Sequence, residues 1–446
     1  MNFEAVKNSL VAEAKNAGLE EYEVYFMESS GTSAETLKGE ISSFSSEVSG
    51  GISFRCIVGG KMGSASTELL TDEEMKALVE RAIENAKNIE SDDKAVIFAG
   101  SEKYAELTLP EFPAKDTAEL KKLALDLHNK ITAESEYIID GTSATVIQNS
   151  TRIVLINSHG LELSTDVGVV GMAAEAVVSK DGENQAAFAL ESGFGEELVG
   201  NLAKKATADA LAKIGAGEIE SGKYDVIFCG KQMKDILSAF SSVFSGRSAN
   251  LGLSLLKGKE GEKIAADCVT LIDDPQKKGS ATQTAFDGEG VATYKKNVIE
   301  KGVLKTLLYD LATAERAGVQ TTGNGQRTSY TAQVGIRPFA FYIEAGELND
   351  DALKELMGDG IYITELKGLH SGLDSVTGDF SLESAGFTVE NGKKTKAVKG
   401  FTVAGNFFDM LKNIVAVSSE IKHGGGGSTC FASPDILLGE MSVAGK

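Results

Sequence analysis

At 446 residues the chain is longer than one hydrophobic core usually fills, so two or three domains are expected. Its 44 Lys+Arg against 65 Asp+Glu give a net charge of -21, and no basic run is interleaved with aromatics, which argues against a nucleic-acid partner. With 42% hydrophobic and 24% charged residues and no apolar run near the ~20 residues that cross a bilayer, the composition is that of a globular protein with no membrane span.

The first segment, MNFEAVKNSL, lacks the charged start, apolar centre and small-residue cleavage site of a signal peptide, so a cytoplasmic location is expected. Cys56, Cys229, Cys268 and Cys430 are far apart and form no C-x-x-C pair, which fits free thiols in a reducing compartment. Phe3, Val6, Leu10, Val11 and Ala14 predict a helix stopped by Gly18, and Glu23 to Met27 predicts a short strand. From Ser33 to Thr67 the alternating segments read as an antiparallel meander broken at Gly39, Gly50-Gly51 and Gly59-Gly60. Thr71 with Glu74 reads as a capping box opening a helix through Ala86.

A linker from Thr108 to Lys115, with Pro110 and Pro113, leads to a helix from Asp116 to Ala133, strands between Tyr137 and Phe188, and a helix from Glu196 to Ile214. The order helix, meander, helix therefore occurs twice and reads as a duplicated αβ unit, on shared order rather than on matching residues. After a second linker, Gly215 to Gly222, an apolar strand at Val226 to Cys229 opens the last region. A hairpin is predicted around Lys301-Gly302, a helix at Asp350 to Met357, and strands at Ile361 to Thr364, Phe387 to Glu390, Lys396 to Val403, Ile414 to Val417 and Ile436 to Val443. The expected fold is α+β: an N-terminal αβ domain (1–107), a central αβ domain (116–214), and a C-terminal domain (223–446) that is mostly antiparallel β, a large sheet or closed barrel-like body with one prominent helix.

That helix lies in KQMKDILSAFSSVFSGRSANLGLSLLKG, Lys231 to Gly258. Met233, Ile236, Leu237, Phe240, Val243 and Phe244 form an apolar stripe that Gly246 can end, and Ser238, Ser241, Ser242 and Ser245 form the opposite face. A face neither apolar nor charged suggests a helix walled in by other structure. Downstream stand LIDDP (Leu271 to Pro275), FDGEG (Phe286 to Gly290), TGNGQR (Thr322 to Arg327), TGDFS (Thr377 to Ser381) and VAGNFFDML (Val403 to Leu411). In that order the chain resembles the TldD/PmbA family, formerly called modulators of DNA gyrase.

The resemblance implies that the TldD branch carries HExxxH on the equivalent helix, with two metal-binding histidines and a glutamate base. Aligned on Gly252 to Ser254, these positions hold Leu237, Ser238 and Ser242 here. Leucine cannot ligate and serine ligates poorly, so the chain resembles the metal-free PmbA (TldE) branch. The TldD branch also supplies a C-terminal cysteine ligand in a C-G-K context, whereas Cys430 stands in STCFASP.

Other candidates are weighed on their residues. His128, His159, His370 and His423 have no second histidine at ligand spacing and read as structural; His370, in the glycine-rich loop GLHSG, is the one kept as cleft-lining with Ser241 and Ser245. Asp273-Asp274 and Asp287/Glu289 read first as turn carboxylates capping backbone N–H groups, and second as a cation or water site. A serine nucleophile would need a base the sequence does not place nearby. Gly424 to Gly427 and Gly258 to Gly261 lack G-x-x-x-x-G-K-[ST], so nucleotide binding is not expected.

Three functions stay open. By resemblance, the chain is the non-catalytic, metal-free subunit of a TldD/PmbA-type metalloprotease that processes unfolded peptides, paired as a heterodimer with a TldD-like subunit that supplies the zinc-like metal. Alternatively it is a stand-alone homodimer that binds peptides or proteins without cleaving them, or an independent hydrolase with a relocated site. No cofactor, nucleic acid or membrane is expected for this chain itself.

Overall fold

The computed structural model describes residues 2–90, 94–109, 114–278, 280, 283–423 and 429–446. Pro110 and Pro113 of the first linker, the glycines 424–427 and the side chain of His423 lie outside the described residues.

Residues 2–214 fold around one six-stranded antiparallel sheet. Helix α1 (Phe3–Asn16) precedes β1 (Tyr22–Leu37), β2 (Glu40–Val58), β3 (Lys61–Thr67) and helix α2 (Asp72–Asn88). Helix α3 (Thr117–Ala133) precedes β4 (Ser143–Asn157), β5 (Glu162–Lys180), β6 (Glu183–Ser192) and helix α4 (Glu196–Leu211). The two helix-meander-helix units join through β1 and β4, giving the order β3-β2-β1-β4-β5-β6, which reads the same outward from the seam. Val24, Phe26 and Ala34 share one face of β1, because side chains alternate along a strand. The first two pack under α1 and α2, and Ala34 packs under α3 and α4, so both helix pairs cover the same face.

Here the strands are longer than the short meander segments expected, and Gly50-Gly51 lies inside β2 instead of breaking it. A Cβ on Gly50 would stand 2.4 Å from the Met27 carbonyl oxygen, and one on Gly51 would stand 2.4 Å from the Thr67 oxygen and 2.6 Å from the Tyr330 ring. These glycines serve close approach rather than a turn. Thr71 does cap α2, accepting from Glu74 N at 3.3 Å, but the Glu74 carboxylate takes Arg81 at 2.7 Å, leaving the box half formed. The reciprocal box occurs at α3, between Asp116 and Glu119.

The C-terminal region holds two further sheets. Strand β7 (Gly222–Phe228) leads into α5 (Gly230–Ala239), a 3-10 turn (Ser241–Phe244) and α6 (Gly246–Asn250). Then come β8 (Leu271–Asp273), β9 (Lys296–Glu300), β10 (Val303–Leu304), α7 (Leu311–Ala317), β11 (Gly325–Gln326), β12 (Gly335–Ile336), β13 (Ala340–Ile343) and α8 (Asp350–Met357). The chain ends with β14 (Gly360–Lys367), β15 (Asp379–Glu390), β16 (Lys393–Asn406), α9 (Phe407–Lys412), β17 (Ile414–Val417), β18 (Lys422–His423), β19 (Cys430–Ser433) and β20 (Ile436–Ala444).

Strands β16-β15-β14-β7-β20 close into a barrel, since Thr402–Ala404 of β16 also pair with Ser442–Ala444 of β20. The second sheet runs β10-β9-β8-β13-β19-β18. Pairing is antiparallel except at β7–β14 and β13–β19, so the mostly antiparallel barrel-like body is present. Closure removes the free edges that would otherwise invite aggregation. The predicted hairpin is β9–β10, turned at Lys301 (φ 47°) and Gly302 (φ 80°).

Candidate functional site

Helix α5 packs among residues of both C-terminal sheets. Met233, Ile236, Leu237 and Phe240 are fully buried with Phe228 and Ile363 of the barrel and Phe341 and Ile343 of the second sheet. Its first turn is held by Asp435, whose Oδ1 accepts from Gly230 N at 2.8 Å while Oδ2 accepts from the Tyr362 hydroxyl at 2.7 Å. Burial nevertheless pushes the Asp435 carboxyl above its ordinary range. Gly230 is needed there because a Cβ would stand 2.2 Å from the Ser433 carbonyl oxygen.

The single serine-faced helix predicted through Phe244 does not form. Helix α5 ends at Phe240 (φ −95°, ψ 4°), and the Ser241 hydroxyl donates to the Ser238 carbonyl at 2.8 Å. The cause is tertiary: Leu308 N donates to the Phe244 carbonyl and Gly246 N to the Leu308 carbonyl, both at 2.8 Å, which pulls residues 244–246 out of helical register. Gly246 starts α6 instead of ending α5, and a Cβ there would lie 2.3 Å from the Tyr309 ring.

This break scatters the serines. Ser238 and Ser241 are half-buried, Ser245 is buried and Ser242 is exposed, so they do not form one walled-in face. His370 is exposed in the turn after β14. Leu237 has no exposed surface and no donor atom. A zinc site needs about three protein ligands with nitrogen, sulfur or carboxylate donors; leucine and two hydroxyls at Leu237, Ser238 and Ser242 do not fit one. Among the described residues no group of three His, Cys, Asp or Glu side chains is placed to hold a metal ion. Cys430 does come beside α5, where Lys234 and Lys277 act on its thiol, but burial dominates and pushes the thiol up.

His128 is buried against the Thr36 hydroxyl, 3.0 Å from Nδ1, and burial lowers its pKa. His159 lies 2.8 Å from the Glu21 carboxylate in the β4–β5 turn. Both make local contacts within residues 2–214.

The acidic motifs cap turns, and they also do something the sequence reading missed. Asp273 is fully buried and accepts from Phe339 N (2.7 Å), Asn324 Nδ2 (2.7 Å) and Lys296 Nζ (3.2 Å), tying LIDDP to TGNGQR. Asp274 caps its own turn, accepting from Gln276 N at 3.1 Å. Asp287 accepts from Glu289 N (2.9 Å), Val291 N (3.0 Å) and Gly325 N (2.8 Å). Above these turns sit Glu23 and Arg55 of the N-terminal sheet, joined bidentately at 2.7 and 2.8 Å. Arg327 also bonds Glu23 and lies over the Tyr25 ring, and Arg55 reaches Glu289 at 3.5 Å. The missed signal was a charge inside an apolar alternation, Glu23 in YEVYF and Arg55 in SFRCI; lone charges are rarely buried unless paired.

Comparison with known proteins agrees with this architecture. Three family models match in order: PmbA/TldA metallopeptidase domain 1 over residues 22–86, the central domain over 110–214, and the C-terminal domain over 221–445. A metalloprotease PmbA homolog of Haemophilus influenzae is 28% identical across 95% of this chain and 92% of its own length. Metalloprotease PmbA of Escherichia coli O157:H7 is 26% identical across 99% of this chain and 96% of its own length. Among solved structures, a protein from Thermotoga maritima described as a modulator of a DNA gyrase superposes with TM-score 0.89 at 29% identity, covering 99% of this chain and 100% of its own. TldE from Thermococcus kodakarensis shares the fold, with TM-score 0.84 at 24% identity over 99% of this chain and 100% of its own. Three matched domains in order, on the sheets and turns described above, make the chain a member of the PmbA/TldD metallopeptidase family.

Proposed function

We propose that this chain is the non-catalytic, metal-free subunit of a PmbA/TldD-type metalloprotease that acts on unfolded peptides, with the metal and its base supplied by an HExxxH-bearing partner. The observation that carries the reading is the state of the motif positions: Leu237 is sealed in the apolar core, and Ser242 has left the helix for an exposed 3-10 turn. Imidazole at position 237 would have to displace core packing, so the departure is built into the fold and is not a surface change.

A second observation supports a partner. Leu251, Leu253 and Leu255, just beyond α6, are 61%, 49% and 53% exposed, while the alternating Ser254 and Leu256 point inward. Ser254 is fixed by its hydroxyl bond to the Val243 carbonyl at 2.5 Å. Apolar side chains held outward in a row are characteristic of interaction surfaces. Extended peptides are recognised through main-chain hydrogen bonds, which gives the weak sequence preference suited to unfolded substrates.

The test is cleavage of an unfolded peptide by the purified chain, alone and mixed with an HExxxH-bearing family member. Chelator-sensitive cleavage only in the mixture, with both chains eluting together, supports the reading. Chelator-sensitive cleavage by the chain alone overturns it, and peptide binding by a homodimer without any cleavage in the mixture favours the stand-alone binder.

A further inference from the structure

The strongest unexplained feature lies outside α5, where the N-terminal sheet meets the C-terminal turns. Five ionisable side chains meet there with almost no access to water: Glu23 on β1, Arg55 on β2, Asp287 and Glu289 in FDGEG, and Arg327 just after β11. The set crosses the domain seam, since Glu23 and Arg55 belong to the sheet and the other three to the C-terminal turns.

Its charges do not balance. Three carboxyls face two guanidiniums, leaving one negative charge in excess if all are ionised. Neighbours do not correct this. Asp310 at the start of α7 is another buried carboxyl and has Arg247 at 3.6 Å, while Asp273 and Lys296 offset each other at 3.2 Å. Tyr25 of β1, under the Arg327 guanidinium, is kept neutral by burial, which raises it to about 12. The Tyr104 hydroxyl donates to the Gly290 carbonyl at 2.7 Å and adds no charge.

Asp287 and Glu289 face each other across Gly325. A Cβ at that glycine would lie 2.8 Å from Glu289 Oε2 and 3.2 Å from Asp287 Oδ2. With both carboxyls buried against the same glycine and negative charge in excess, the site favours a proton on one of them.

We propose that this cluster is a proton-dependent latch, which fastens the N-terminal sheet to the C-terminal domain while the Asp287–Glu289 pair holds a proton and loosens that seam when the proton leaves. The direction follows from the environment. Burial and the Glu289 charge raise Asp287 to about 8, and burial raises Glu289 as well. The folded chain therefore holds a proton that the unfolded chain releases at lower pH. The proton's contribution to the seam is complete only below the ordinary carboxylate range, is lost progressively as pH rises toward about 8, and is gone above that value.

Amide hydrogen exchange on the full chain across about pH 6.5 to 9.5 tests this. After correction for intrinsic rates, amides of residues 23–27, 289, 291 and 325 are expected to speed up about tenfold per pH unit up to about 8 and to level off above it, with amides of β15 and β16 unchanged. Glu289→Gln keeps an acceptor for Leu311 N, now at 2.9 Å from Glu289 Oε2, and removes the excess charge. It should abolish the rise. A flat wild-type profile, a rise shared by β15 and β16, or a rise unchanged in Glu289→Gln would each overturn the proposal. Should that variant not fold, the wild type decides through the infrared carbonyl band of a buried protonated carboxyl. The proposal requires that band at neutral pH and its loss by about pH 9.5; its absence at neutral pH overturns the proposal.

Discussion

At the residue scale, LIDDP, FDGEG and TGNGQR are tied together and to the N-terminal sheet by buried side chains, Asp273, Asp287 and Arg327 among them. Glu23 is the side chain on which two guanidiniums converge, and both hold its carboxyl below the usual range despite burial. Removing Glu23 takes from the buried Arg55 and Arg327 guanidiniums the carboxylate that both bond, and breaking such a buried pair typically costs ~3–5 kcal/mol. Glu23→Ala is therefore expected to lower the unfolding free energy by that amount in urea titration, whereas Glu21→Ala, whose partner is the half-exposed His159, should cost less than ~1 kcal/mol. Because the folded pKa of Glu23 is depressed, its contribution is present above the ordinary carboxylate range and is lost as pH falls through the folded value. Thermal melts should show this acid-side loss in the wild type and not in Glu23→Ala. The turn role of Asp287 was legible in the sequence, because a carboxylate two residues before Glu289 in a glycine-rich turn points to its own backbone. Its distant partners were not, since Glu23 and Arg327 are 304 residues apart.

At the element scale, periodicity found α1 to α4, α8, the start of α5 and most strands, missed the short α7 and α9, and failed at the end of α5 where a tertiary contact overrode it. The apolar stripe Met233, Ile236, Leu237, Phe240 was read correctly because it reflects core packing. The end of α5 was not, because Leu308, which lies far along the chain, competes for the backbone of residues 244–246. Gly246→Ala tests that cause: with a Cβ 2.3 Å from the Tyr309 ring, overpacking of ~1–3 kcal/mol is expected as a lowered melting temperature. An equally stable Gly246→Ala protein would mean that the glycine serves no close approach. Gly50-Gly51 repeats the lesson in β2, where glycine signalled a turn by composition and a tight strand crossing in fact.

At the scale of the whole molecule, the duplicated order in residues 2–214 becomes one continuous sheet. The helix-covered face supplies the cores, and part of the opposite face carries the charged seam to the C-terminal domain. That join could not be foreseen, because strand alternation specifies which face is apolar but not which strand lies beside which. What the sequence did carry was the absence of ligating side chains at Leu237, Ser238 and Ser242, the positions that the proposed reading aligns with HExxxH, and in the fold position 237 is core and position 242 is surface. The account rests on this chain contributing no metal site of its own. Elemental analysis of the protein, expressed alone and without a histidine tag, measures this directly. Less than about a tenth of an equivalent of transition metal per chain is predicted, whereas close to one equivalent would contradict the account and direct mutagenesis to His370 and Cys430.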